Sequence, residues 1–204
     1  MESKAALLIV DVQNDFCPGG ALQILNGDRV VEPINRAVEY FVAAGLPVLA
    51  SRDWHPPETK HFRTSGGVWP VHCVQGTAGA AFHPGLLLPE GTVVLSKGIN
   101  PERDGYSAFE AVTGDGRMLA ELLSDLDVRS LYISGLATDY CVLCTTVEAL
   151  RNGLKVTVLT DAVAGVDIVP GESACAIEDM INAGAQLAMV DELQGLLGLE
   201  LRRG

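Results

Sequence analysis

The chain has 204 residues, enough for one domain with a sizeable core. Apolar residues make up 48% and charged residues 20%, which excludes a disordered chain, and no apolar run approaches the roughly 18 residues of a membrane span. Lys and Arg number 14 against 26 Asp and Glu, and the net charge of −12 argues against nucleic acid or an anionic membrane as partner and for a small neutral or weakly charged substrate.

The elements alternate along the chain. An apolar run over residues 6–12 reads as a strand. Residues 28–44 read as a helix, with Val30, Val31, Ile34, Ala37, Val38 and Phe41 at helical spacing and Gly45 ending it. A strand at 47–51 precedes a Pro- and Gly-rich interval, 52–91, that breaks the pattern and holds all four histidines, His55, His61, His72 and His83. A loop this long in a compact domain is usually functional. Strand 92–96, helix 118–126, strand 130–134, helix 139–152, strand 155–159, helix 172–182 and strand 186–190 follow. The strands are almost continuously apolar, as parallel strands covered on both faces are. The expected fold class is therefore α/β, a single doubly wound domain over residues 1–204 with a six-stranded, mainly parallel sheet and helices on both faces. The N-terminus lacks the long apolar stretch of a signal peptide, so the expected location is cytoplasmic.

In open sheets of this kind, ligands bind beyond the carboxyl ends of the strands. Asp11 follows the first strand, Asp53 and His55 the second and Lys97 the third. The fourth leads through Gly135-Leu136-Ala137-Thr138-Asp139-Tyr140 to Cys141. An acid, a D-x-H pair, a cation and a thiol thus meet on one rim. Cys141 near a helix N-terminus, with Thr138 as N-cap and Lys97 nearby, is placed to become a thiolate, and Asp11 to accept its proton. The backbone N–H of Cys141 and one from the Leu136-Ala137 turn would form an oxyanion hole. Asp53 and His55 share one face of an extended segment, and with His72 and His61 make a donor set suited to one divalent zinc, manganese or iron ion. Taken singly, each residue also has a plain structural reading: Cys141 as a buried small hydrophobe, Lys97 as a surface lysine, Asp11 as a strand-end cap. Cys73 reads as packing and His83 as structural. Cys141-Val142-Leu143-Cys144 is a C-x-x-C, so a dithiol redox protein is a competing reading, and a non-catalytic metal-binding module is a third. Phe16, Trp54, Trp69, Tyr106 and Tyr140 lie at or beside the rim and together suit a flat aromatic ligand. Neither a G-x-G-x-x-G nor a G-x-x-x-x-G-K motif is present, so a nucleotide cofactor is not indicated.

Asp11-Val12-Gln13-Asn14-Asp15-Phe16 resembles the D-x-Q-x-D-F opening of the isochorismatase-like cysteine hydrolases. Asp53-Trp54-His55, the block from Trp69-Pro70-Val71-His72-Cys73 to Gly76-Thr77-Ala78-Gly79-Ala80, Lys97-Gly98, Tyr106-Ser107-Ala108-Phe109 and Gly135 to Val142 are similar to the nicotinamidase/pyrazinamidase branch of that family. The resemblance runs in order over nearly the whole chain. It implies that Asp11, Lys97 and Cys141 form a catalytic triad, that Asp53, His55 and His72 bind one divalent metal, zinc first among the candidates, and that His61 is a further ligand as in some members. It implies that Phe16 and Trp69 sandwich a pyridine ring, with Tyr106, Tyr140 and Leu136 in the pocket, and that the Leu136–Ala137 peptide is cis, with the N–H groups of Ala137 and Cys141 as the oxyanion hole. It further implies conversion of nicotinamide to nicotinate and ammonia through a thioester, with pyrazinamide as a further expected substrate. A related amidase acting on another small carboxamide is the alternative. Exposed sheet edges and a C-terminal helix leave a homo-oligomer open.

Overall fold

A computed structural model describes residues 4–199. Six strands form one sheet: β1 (Lys4–Val10), β2 (Val48–Asp53), β3 (Val93–Lys97), β4 (Val128–Leu136), β5 (Lys155–Ala164) and β6 (Gln186–Ala188). Their order is β3-β2-β1-β4-β5-β6, and every neighbouring pair is parallel. The sheet reverses direction of growth at β1, so the carboxyl ends of β1 and β4 flank the switch point where such folds bind ligands.

Alternation along each strand supplies two cores. On one face Leu7, Ile9, Val48, Ala50, Tyr132 and Leu159 pack against Val31, Ile34, Ala37, Val38 and Phe41 of helix α1 (Val31–Ala43). On the other, Leu8, Val10, Leu49, Leu95, Leu131, Ile133 and Val158 meet α2 (Leu119–Asp125), α3 (Leu143–Arg151) and α4 (Glu172–Ala183) through Leu119, Leu122, Leu123, Ala149 and Met180. A short helix, α5 (Leu193–Leu196), returns to the α1 face through Leu193. No helix among the described residues is long and apolar enough to cross a membrane.

Element boundaries depart from the sequence expectation in ways that matter for the site. β2 runs on to Asp53 and β3 to Lys97, so both residues are the last of their strands. β5 continues to Ala164 through a bulge of its own: Ile133 pairs with Val158 and Gly135 with Val163, so residues 159–162 of β5 lie opposite one residue of β4. The expected helix over 139–152 begins instead as a π-helical turn, Thr138–Val142, and becomes α-helical at Leu143. Thr138 is therefore not the N-cap; Ala137 holds that position, with no side-chain cap.

Candidate active site

Four adjacent strands each deliver one residue to the same rim. The delivery begins with β1, which stops at Val10. Asp11 then takes φ +50, a left-handed conformation that Asp tolerates better than most residues. Its carboxylate accepts from Ser51 Oγ at 2.7 Å and lies 2.8 Å from Lys97 Nζ. Gln13, two residues on, is wholly buried; its amide donates to the carbonyls of Asp53 and Ala80 at 2.8 and 2.9 Å, and its oxygen accepts from Asp53 N at 2.7 Å. The ends of β1 and β2 are thereby fixed to one another. Asp15 accepts from Cys73 N at 2.7 Å and anchors the histidine-bearing loop. The three polar residues of the D-x-Q-x-D opening therefore each have a partner.

Lys97 is the centre of charge. Its ammonium, fully buried, is 2.8 Å from Asp11, 2.5 Å from Asp53 Oδ1 and 3.2 Å from Cys141 Sγ. Burial works against the charge of Lys97, but Asp11 and Asp53 outweigh it and hold its pKa well above the ordinary lysine value. Burial raises the Asp11 carboxyl to about 6, with Lys97 opposing the rise. At Asp53 burial is overcome by Lys97 and by the neighbouring histidines, which keep it well below the usual carboxylate range. Burial also pushes the Cys141 thiol well above its ordinary value; Lys97 acts against this, but Asp11 and Asp53 add to it. Burial thus favours the neutral thiol at Cys141, with the Asp11 carboxyl group within 4.8 Å, whereas the helix end and Lys97 favour the expected thiolate.

Gly135 makes room for this rim. It has φ +111, and a Cβ there would lie 2.0 Å from the Val10 carbonyl oxygen, so only glycine lets β4 approach β1 this closely. The Leu136–Ala137 peptide that follows is cis.

Beside Asp11, Lys97 and Cys141, His55, His61 and His72 are all buried and bring one ring nitrogen each within 4.8 Å of the others. Each Nδ1 is engaged: with the Gly98 carbonyl at 3.1 Å for His55, Asp104 Oδ1 at 2.7 Å for His61 and the Pro70 carbonyl at 2.8 Å for His72. That leaves the Nε2 atoms, and His55 Nε2 is a buried polar atom without a hydrogen-bond partner. Asp53 Oδ2 lies 3.7 Å from His55 Nε2 and 4.0 Å from His72 Nε2. Burial lowers the pKa of His72 to about 4 and lowers that of His61, which favours the neutral imidazoles that ligate metals. An orphaned nitrogen, rings oriented through Nδ1 and one adjacent carboxylate fit a divalent metal ion.

A narrow cavity of about 30 Å³ opens on these groups, lined by Phe16, Leu22, Asp53, His61, Trp69, His72, Tyr106, Ala137, Tyr140, Cys141 and Val166. Trp69 meets Tyr140 edge-on at 4.8 Å between ring centroids, and its indole N–H donates to the Tyr106 hydroxyl at 2.8 Å. The cavity thus has aromatic walls, a thiol and the imidazoles. Leu136 is not among its walls; its side chain is fully buried in the core beneath, and the wall position expected of it belongs to Ala137. Trp54 also lies elsewhere, stacked under the Arg52 guanidinium at 3.7 Å. Leu22 and Val166 were not legible as lining residues, because neither belongs to a motif or a strand end.

The remaining candidates resolve into separate places. Cys144 does not share the cavity with Cys141; it opens onto another concavity with Glu110, Glu148 and Asp179. All five cysteines are free. Cys73 is buried, and His83 accepts a backbone hydrogen bond from Gly85 at 3.1 Å, away from the other three histidines. A concavity of about 700 Å³ lies on the far side of Val166, around Thr160, Gly165 and Ser173, and contains none of these reactive groups.

The isochorismatase domain model matches residues 5–192. The chain is 42% identical to the nicotinamidase of Escherichia coli, over 93% of this chain and 98% of that one. Among solved structures it is similar to the pyrazinamidase of Pyrococcus horikoshii in complex with zinc, with TM-score 0.84, 41% identity and coverage of 91% and 99% of the two chains. It is also similar to PnC1 from L. infantum in complex with nicotinate, with TM-score 0.81, 34% identity and coverage of 94% and 95%.

Proposed function

The chain belongs to the isochorismatase family, in its nicotinamidase/pyrazinamidase branch, and on that premise we propose that it hydrolyses nicotinamide to nicotinate and ammonia with Cys141 as nucleophile. The observation that carries the reading is Lys97, whose single ammonium reaches the base Asp11, the thiol of Cys141 and the metal-site carboxylate Asp53 beneath an aromatic cavity.

The chemistry follows from the charges. Asp11 takes the Cys141 proton, and Lys97 stabilises the thiolate as it forms. The sulfur attacks the carboxamide carbon, and the carbonyl electrons move to oxygen, where the N–H groups of Ala137 and Cys141 receive the negative charge. As the tetrahedral species collapses, the C–N bond breaks and the nitrogen takes the proton from Asp11, leaving as ammonia. A thioester remains. Water, deprotonated by Asp11, attacks it; the C–S bond breaks, the sulfur regains its proton and nicotinate departs. Phe16 and Trp69 hold the ring, and Tyr106 and Tyr140 close the cavity around it. Asp53, His55, His61 and His72 would hold a divalent metal ion, which would supply Lewis acidity beside the ring. Zinc is the ion we assign, on the donor set and the zinc-bound pyrazinamidase relative. The substrate is a small molecule, with pyrazinamide as a second candidate, and the location we assign is cytoplasmic.

The test is ammonia release from nicotinamide by the purified protein, by Cys141→Ala and by chelator-treated protein. Release that needs both thiol and metal supports the reading. Turnover retained in Cys141→Ala refutes the covalent route, and no release from folded, zinc-loaded protein moves the substrate to another carboxamide.

A further inference from the structure

The three imidazoles of the site differ in what holds them. His55 and His72 set Nδ1 against backbone carbonyls, which the fold provides whatever side chains are present. His61 instead sets Nδ1 against a side chain, the Asp104 carboxylate, at 2.7 Å. The imidazole is 4% exposed and the carboxylate 55%, so a surface residue reaches in to a buried ring.

Asp104 lies in the loop after β3, and that loop is laid on the segment carrying His61. Lys60 N–H and Thr59 Oγ1 both donate to the Pro101 carbonyl, at 2.8 and 3.1 Å, and Lys60 pairs with Glu102. The loop then folds back on its own start at Gly105, where φ is +70 and a Cβ would sit 2.6 Å from Gly98 N. Only glycine permits that approach, which leaves Asp104 beside His61.

An imidazole that donates Nδ1–H to a carboxylate is fixed in the tautomer whose Nε2 lone pair is free, and its basicity as a ligand rises. The His61 ring is held stacked on His55, with centroids 4.5 Å apart and planes 18° from parallel. Without Asp104 the ring has no side-chain acceptor to select its tautomer. We propose that Asp104 is a positioning residue that fixes His61 as a metal ligand through Nδ1, so that a loop outside the ligand set governs how tightly the divalent ion is held. This inference rests on the metal-binding part of the reading above.

The experiment uses the full chain stripped of metal, with zinc affinity measured by competition against a chromogenic chelator and folding checked by the melting temperature of the stripped protein. Asp104→Ala is expected to weaken zinc binding about 10- to 100-fold. Its melting temperature should stay close to that of the parent. Asp104→Asn keeps an acceptor oxygen and should show a smaller loss, still more than twofold, which serves as the readout should the alanine variant fail to fold. In a His61→Ala background, Asp104→Ala should cost nothing further. Affinity within twofold of the parent in both Asp104 variants, or an equal loss with and without His61, overturns the inference. Zinc affinity unchanged in His55→Ala and His72→Ala overturns the metal reading itself, and the inference with it.

Discussion

Replacing Lys97 with methionine removes the one cation that two buried carboxylates share. The side chain is about the same length and apolar, so packing loss is small and the effect isolates charge. Asp11 and Asp53 are 0% and 6% exposed at the side chain, and both lose an ammonium at 2.8 Å or closer. Breaking a buried pair from one side costs about 3–5 kcal/mol, because the remaining charge is left uncompensated. For a chain of this size each kcal/mol moves the melting temperature by about 2–4 °C, so a fall of roughly 6–20 °C is expected in metal-stripped protein. Calorimetry or a dye-monitored melt measures it. Adding Asp11→Asn to Lys97→Met removes one stranded charge and should restore part of the loss. A Lys97→Met protein that melts within 2 °C of the parent, or a double variant less stable than the single, would refute the argument that this ammonium neutralises the rim.

Asp11, raised to about 6, must be ionised to accept the thiol proton. Its base form is present above that pH and lost below it, so log kcat/KM for nicotinamide should fall with unit slope as pH drops through about 6, in protein shown to retain its metal; a flat profile down to pH 5 would rule out Asp11 as the base. Cys144→Ser should leave kcat/KM within about twofold, since that thiol faces a different concavity; a loss beyond tenfold would revive a dithiol role for the C-x-x-C pair. Val166→Phe, which enlarges a wall of the narrow cavity, should raise KM for nicotinamide at least tenfold through steric exclusion; unchanged KM would place the ring elsewhere.

Much of the architecture is readable because buried parallel strands are largely apolar, and three of them end at a residue of the rim: Asp11 after β1, Asp53 closing β2, Lys97 closing β3. The apolar run of β5 ends five residues before the strand does because Thr160 and Asp161 interrupt it, and both lie in the bulge of β5 between Val158 and Val163. The N-cap reading of Thr138 assumed a regular helix start; the chain enters through a π-helical turn after Gly135, a backbone geometry that residue types alone do not announce. The thiolate expectation weighed the helix end and Lys97 but not burial, which dominates at Cys141. Asp104 was invisible for another reason. It lies 43 residues from His61 and in no motif, so only the folded loop brings the two together.

The rim residues stand on neighbouring strands in the spatial order Lys97, Asp53, Asp11, Cys141, and this has a consequence for how activity is acquired. Each parallel pair is joined by a long crossover, and the β1–β4 seam pairs Val10 with Gly135 across about 125 residues of chain. Long loops must close before such contacts form, so assembly of the seam is a slow, late kind of event. A nascent or refolding chain that has built β1, β2 and β3 holds Asp11, Asp53 and Lys97 but has not yet brought Cys141 to them. Ammonia release during refolding is therefore a clock for closure of the β1–β4 seam, and it should start no earlier than the burial of that seam's amides against hydrogen exchange.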